Sequence, residues 1–366
     1  MRLKRFSVLH LVVALPLFAA LAIGANLDSL KAGNAALKSA GPLAFGPEGI
    51  LFVGDSVGGS IAALDTNDRT PGKSAAQFDV KAINQKIAAA LGTAPDQILV
   101  NDAVVNPISK NVYLSVSRGR GPDAVPVILR VDAAGKITEL SLDNIRHARV
   151  SIPNAPASVA DARGRNPRME AITDIAFVDG SVIVAGLSNE EFSSTLRSIP
   201  FPFQKVDSGA GIEIYHGSHG RFETNAPIRT FVPYEVAGQP HILAAYTCTP
   251  LVKIPVSELK AGNKVKGTTI AELGNRNRPL DMITYRKDGK EYFLMANSSR
   301  GVMKLSTANL EKYQAITSPI DDKSGVPYET VATLTGVLQL DKFDETTALL
   351  LTDTGGSFDL RTVPLP

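Results

Sequence analysis

Asp102, Asp174 and Asp281 each stand at the head of an apolar, strand-like run, and Thr230 takes the equivalent place in a fourth. The ends of neighbouring runs give a second equivalent set: Asp55, Ser117, Asn189, Asn297 and Asp353. Carboxylate and amide oxygens that converge from several strands are hard ligands suited to calcium. A bound cation would also offset the repulsion between them. The alternative for any one of these residues is an ordinary turn, since Asp and Asn cap strand ends in many folds.

Arginines form a second constellation. Ser115-Val-Ser-Arg118-Gly and Asn297-Ser-Ser-Arg300-Gly are one phrase written twice, and Arg278 lies with Arg163, Arg165, Arg168 and Arg276 in Gly- and Asn-rich stretches near strand heads. Guanidinium groups suit bidentate recognition of carboxylate or phosphate, so Arg118, Arg278 and Arg300 are the expected anion-binding residues. Pairing with the strand-head aspartates is the competing role. A third set is Tyr246, Cys248, His216, His219 and His241. Tyr246 and Cys248, two apart on one strand, share a face. With the His216-Gly-Ser-His219 spacing they supply the parts of a copper oxidase site, a remote alternative. The competing reading of Cys248 is a small buried hydrophobe.

The elements that must position these residues are written as a repeat. Arg229 to Pro255 and Arg278 to Leu305 superpose with a shift of 51 residues, which places Ala245 on Ala296, Cys248 on Ser299 and Lys253 on Lys304. Strand–turn–strand–turn–strand at roughly 50 residues is the signature of propeller blades. The fold expected is therefore all-β, a single β-propeller of six blades, or seven if residues 209–225 hold one more. Its first strands line a central channel and its loops build the rims. Residues 81–92 break the pattern: Ile83, Ile87 and Leu91 recur at helical spacing and Gly92 follows, which predicts a short helical insertion after blade one. Residues 26–40 read as a short helix or an edge segment. Residues 141–169 are Arg- and Pro-rich with no strand or helix period, and residues 189–203 form a second polar excursion.

The phrases GPLAFGPEGILFVGDSVGGSI (residues 41–61) and NDAVVNPISKNVYLSVS (residues 101–117) resemble blades of the six-bladed propellers related to gluconolactonase, regucalcin and strictosidine synthase, and also NHL repeats. In gluconolactonase-like enzymes a channel-bound divalent cation, held by Glu, Asn and Asp, polarises an ester or lactone carbonyl. The resemblance matches Asn101-Asp102 to that family's Asn-Asp step, with Glu170 and Asp281 as counterparts of its acidic ligands. Taken with the aligned strand positions, which add Asn297 and Asp174, the expected metal set is Asn101, Asp102, Glu170 and Asn297, with Asp281 and Asp174 as the catalytic carboxylates. The family's Ser-Asp-Gly phrase has no counterpart here.

Composition bounds the rest. Arg2, Lys4 and Arg5 precede a nearly unbroken apolar run from Val8 to Ile23, so residues 1–25 read as a signal peptide, with an uncleaved N-terminal anchor as the alternative, and residues 26–366 as the propeller. The expected location is periplasmic or extracellular, with no stable membrane insertion after cleavage. Without those three residues the formal net charge of +2 becomes about −1, which argues against nucleic acid as a partner. A single cysteine excludes an internal disulfide framework. The absence of tryptophan argues against the Trp-rich docking blades of pyrroloquinoline-quinone dehydrogenases. Two functions from different classes follow. One is an exported, calcium-dependent hydrolase of a lactone or ester. The other is a non-catalytic propeller that binds a small anionic ligand or a protein partner at its loop-rich rim.

Overall fold

The structure is a computed structural model that describes residues 27–72 and 77–366; the leader read at residues 1–25 lies outside them. Hairpins are set by local turn chemistry. Asp179-Gly180, Ala237-Gly238 and Asp288-Gly289 all adopt consecutive positive φ angles, the two-residue turn whose twist matches that of the flanking strands. Each joins an inner strand to its neighbour, and these hairpins stack into six sheets.

From the inside outward, blade one is Leu43–Phe45, Ile50–Asp55, Ser60–Asp65 and Ile145–Ser151, with Lys31–Gly33 at its edge. Blade two is Ile98–Val105, Val112–Arg118, Val125–Val131 and Ile137–Glu139. Blade three is Asp174–Val178, Ser181–Leu187, Ser194–Pro200 and Ala210–His216, edged by Arg221–Glu223. Blade four is Ile228–Val236, Gln239–Tyr246, Pro250–Pro255 and Thr268–Leu273. Blade five is Pro279–Lys287, Lys290–Asn297, Gly301–Ser306 and Tyr328–Thr330. Blade six is Val337–Lys342, Thr347–Asp353 and Phe358–Pro364, completed by Asp79–Val80. The fold is thus an all-β propeller of six blades, since residues 210–223 complete blade three and add no seventh. The internal repeat holds in register: Lys253 pairs with Leu243, and Lys304 with Leu294.

Two segments differ from the sequence reading. Ile145–Ser151, within the stretch expected to be irregular, is the outer strand of blade one and pairs with Ser60–Asp65. Ser194–Pro200, within the second polar excursion, is the third strand of blade three. Chain order is also not ring order. Blade two lies between blades one and six, so the ring runs one, three, four, five, six, two. The apolar core follows that ring as six wedges, one at each junction. Phe52 and Ile61 of blade one pack with Ile175 and Val184 of blade three, whereas Leu51 and Leu64 of blade one pack with Tyr113 and Ile128 of blade two. Blades two and six share Val112, Leu114, Leu349 and Leu351.

The helical insertion forms as expected, over Ile83–Ala90, and buries Ile83, Ile87 and Ala88. It packs into the wedge between blades two and six. Asn84 ties it there: its Nδ2 donates to the Gly356 carbonyl at 2.9 Å, and its Oδ1 accepts the Phe358 N–H at 3.0 Å.

Candidate functional site

The inner strands of all six blades surround a cavity of about 1130 Å³. In blades two, four, five and six a bulge interrupts pairing just inside the strand head, which turns the next residue towards the channel. Asp102, Thr230, Asp281 and Gln339 are those residues. Asp341, two positions further along blade six, also lines the cavity with Asp174.

Four aspartates share one bonding scheme. Each accepts the N–H of the residue after it on one oxygen and an N–H from the next blade on the other. Asp102 takes Ala103 and, from blade one, Leu43, both at 2.7 Å. Asp174 takes Ile175 and, from blade four, Phe231, both at 2.8 Å. Asp281 takes Met282 and, from blade six, Leu340, both at 2.8 Å. Asp341 takes Lys342 and, from blade two, Val105, both at 2.7 Å. The carboxylates therefore staple four of the six junctions. They also repel one another. Burial foremost, and then the charge of Asp102, pushes Asp174 up to about 8. Burial raises Asp341 to about 7, with the Asp102 charge adding to it. Burial, opposed by its two N–H bonds, leaves Asp102 at about 6. Asp281 is raised by burial and by the charges of Asp102, Asp174 and Asp341.

The mouth of the cavity carries two guanidiniums from adjacent blades. Arg229 is held: it pairs with Glu170, and its Nε donates to Thr247 Oγ1 at 3.0 Å. Arg278 lines the same mouth, and its guanidinium has no hydrogen bond or ion pair among the described residues. Desolvation, and then the like charge of Arg229, lowers its pKa.

Other expected site residues are placed as follows. Asn101 and Glu170 line the cavity with Asp102, Asp174 and Asp281. Asn101 Nδ2 donates to the Ala40 carbonyl at 2.8 Å and to Ser117 Oγ at 3.0 Å. Asn297 stands outside the cavity lining. Its amide bonds to Asn277, Met295 and Gly301 and closes the end of its own hairpin. Asp55 is likewise committed, to Lys38, Ser39, Gly58 and Arg149. Arg300 pairs with Asp322 and the Asn275 carbonyl, and neither it nor Arg118 lines the cavity. The arginines that do, besides Arg278, are Arg120 and Arg229. Both lay in the sequence as ordinary strand-flanking charges.

The donor chemistry of the channel suits calcium, but the spacing does not. Calcium takes six to eight oxygens at about 2.3–2.6 Å. Among the described residues, no three carboxylates of the channel bring oxygens within 4.8 Å of one another. Of the copper oxidase set, His216, His219 and Cys248 come together, but Tyr246 and His241 do not join them. Tyr246 is buried in the wedge between blades three and four, facing Ser194. Cys248 has left the strand, in a left-handed turn at φ 64°, so the shared-face argument fails. His241 lies near the opposite end of the Gln239–Tyr246 strand and bonds to the Gln239 carbonyl.

Fold and channel together define a six-bladed β-propeller with a carboxyl-lined central cavity. No family model and no curated protein sequence matches the chain. Solved structures of similar shape include the PQQ-bound aldose sugar dehydrogenase of Streptomyces coelicolor, 11% identical with a TM-score of 0.36, over 91% of this chain and 96% of that one. Hydrazine synthase of Kuenenia stuttgartiensis is 12% identical with a TM-score of 0.35, over 91% and 97%. The apo aldose sugar dehydrogenase of Escherichia coli is 13% identical with a TM-score of 0.29, over 92% and 99%. Likeness at this level assigns neither substrate nor cofactor to this chain.

Proposed function

We propose that the protein binds a small anionic, hydroxyl-bearing molecule in its central channel. The anionic group meets Arg278 at the mouth, beside Arg229, and the hydroxyls meet the carboxyls of Asp102, Asp174, Asp281 and Asp341. One observation carries the reading: an exposed guanidinium with no partner among the described residues stands at the mouth of a cavity walled by four half-buried carboxyls. Carboxyls raised towards neutrality both donate and accept hydrogen bonds, as hydroxyls require. The volume of about 1130 Å³ accommodates a molecule of sugar size. Titration calorimetry with a sugar acid and its neutral alcohol tests the charge. The acid is expected to bind at least about tenfold more tightly, since a charge-assisted hydrogen bond contributes roughly 1.5–3 kcal/mol. Equal affinity for both would overturn the assignment.

A second reading, hydrolysis of a lactone or ester of such an acid, is favoured by Asp174. Its carboxyl, pushed up to about 8, is in the range where a side chain exchanges protons at physiological pH. Lactone turnover that falls in Asp174→Asn by far more than ligand affinity does would support hydrolysis. Turnover that instead required calcium would place a cation in the channel despite the spacing of its carboxylates.

A further inference from the structure

On the outside of the ring, where blade three meets blade four, three side chains come together that the channel does not use. His216 ends the outer strand of blade three, His219 closes the turn after it, and Cys248 sits in the turn between the second and third strands of blade four. One ring nitrogen from each histidine and the Cys248 sulfur lie within 4.8 Å of one another. The imidazole centroids are 3.8 Å apart.

The surroundings orient these donors. Glu223, buried on the returning strand, holds both rings: His216 Nδ1 meets Oε2 and His219 Nδ1 meets Oε1, each at 2.8 Å. Carboxylate-to-imidazole support of this kind fixes the ring and leaves Nε2 as the ligating edge. His216 is 2% exposed, and its Nε2 has no hydrogen-bond partner. An imidazole edge buried without a partner is costly in a packed wall, and a metal would satisfy it. Cys248 is held in place from three sides. Its N–H donates to the Asn277 carbonyl at 2.6 Å, the Thr249 N–H to the Tyr246 carbonyl at 2.8 Å, and Thr249 Oγ1 to the Gly274 carbonyl at 2.7 Å. His219 is 42% exposed at its side chain, which gives an ion a route in.

We propose that His216, His219 and Cys248 form a zinc site that clamps the outer hairpin of blade three to blade four. Two imidazoles and one thiolate are borderline-to-soft donors, which select zinc over calcium or magnesium. Three protein ligands leave one tetrahedral position for water or an exogenous group. Binding displaces the thiol proton to solvent, and no electron transfer is involved.

The test uses the untagged chain, stripped with chelator and then offered zinc, calcium or magnesium, with bound metal measured after dialysis. One zinc per chain and a rise in unfolding midpoint are expected, neither given by calcium or magnesium. Cys248→Ser and His219→Ala, both at partly exposed positions, are expected to lose the zinc, and Glu223→Gln to weaken it by about 10–100-fold. Absence of stoichiometric zinc in the wild type, or retention of it in both ligand variants, would overturn the site. Should the variants fail to fold by circular dichroism, cobalt(II) added to the wild type decides. A thiolate-to-cobalt charge-transfer band supports the site, and a spectrum of cobalt bound to nitrogen and oxygen alone refutes it.

Discussion

Aspartate is an expensive residue to bury, and its recurrence along this channel has a structural reason before any chemical one. Each of the four takes two backbone N–H groups, one from another blade, that would otherwise face the cavity unpaired. Asp102→Ala orphans the N–H groups of Leu43 and Ala103, at about 1–3 kcal/mol for each. Denaturant unfolding should show that loss, while Asp123→Ala, at an exposed turn, should stay within about 0.5 kcal/mol of wild type. The same residues set a pH dependence. Their folded pKa values are raised above the unfolded value near 4, so the folded chain keeps protons that the unfolded chain has released. Stability should therefore be full at about pH 4 and fall as pH rises through about 6, 7 and 8, where Asp102, Asp341 and Asp174 ionise. Glu272, raised to about 7 by burial, adds with the same sign. Glu223 is held at about 2 by its histidines and Arg221 against the effect of burial, so its opposite contribution is lost only below that window. Unfolding midpoints measured from pH 5 to 8.5 check this, and Asp174→Asn should flatten the upper part of the curve. A flat wild-type profile would contradict the ascribed shifts. Asp102, Asp174 and Asp281 were legible in the sequence because they head aligned strands. Asp341 was not, because Gln339 occupies the aligned place and the aspartate follows two residues later.

At the scale of elements, periodicity carried what was local. The helix over Ile83–Ala90 announced itself through Ile83, Ile87 and Leu91, and blades four and five through their 51-residue repeat. Ile145–Ser151 did not, since an outer strand with Arg146, His147 and Arg149 half in solvent has no apolar alternation to read. Nor could any local pattern reveal that Asp79–Val80 pairs with Phe358–Pro364, or that blade two stands between one and six. Those are long-range pairings that close the ring, so the helix between them is a structural strut. Asn84→Ala removes both hydrogen bonds that fix it to the Gly356–Phe358 turn. The expected loss is about 1–3 kcal/mol by denaturant unfolding, with faster amide exchange in Ile83–Ala90. Unchanged stability and exchange would mean that apolar packing alone holds the helix.

The whole molecule is six wedges around a carboxyl-lined cavity, and the ligand chemistry proposed for it lies at the mouth, where the Arg278 guanidinium has no partner among the described residues. Arg229 is already committed to Glu170 and Thr247, so it braces the rim and adds positive field. Arg278→Ala should consequently leave stability near wild type while weakening an anionic ligand by about tenfold or more. The most direct measurement is titration calorimetry of one sugar acid against wild type, Arg278→Ala and Asp174→Asn at matched ionic strength. The account predicts saturable binding by wild type, a loss of at least about tenfold in Arg278→Ala, and a smaller loss in Asp174→Asn. Binding that is equal in all three proteins, or a sugar-acid series in which none binds, would contradict a ligand site in the channel.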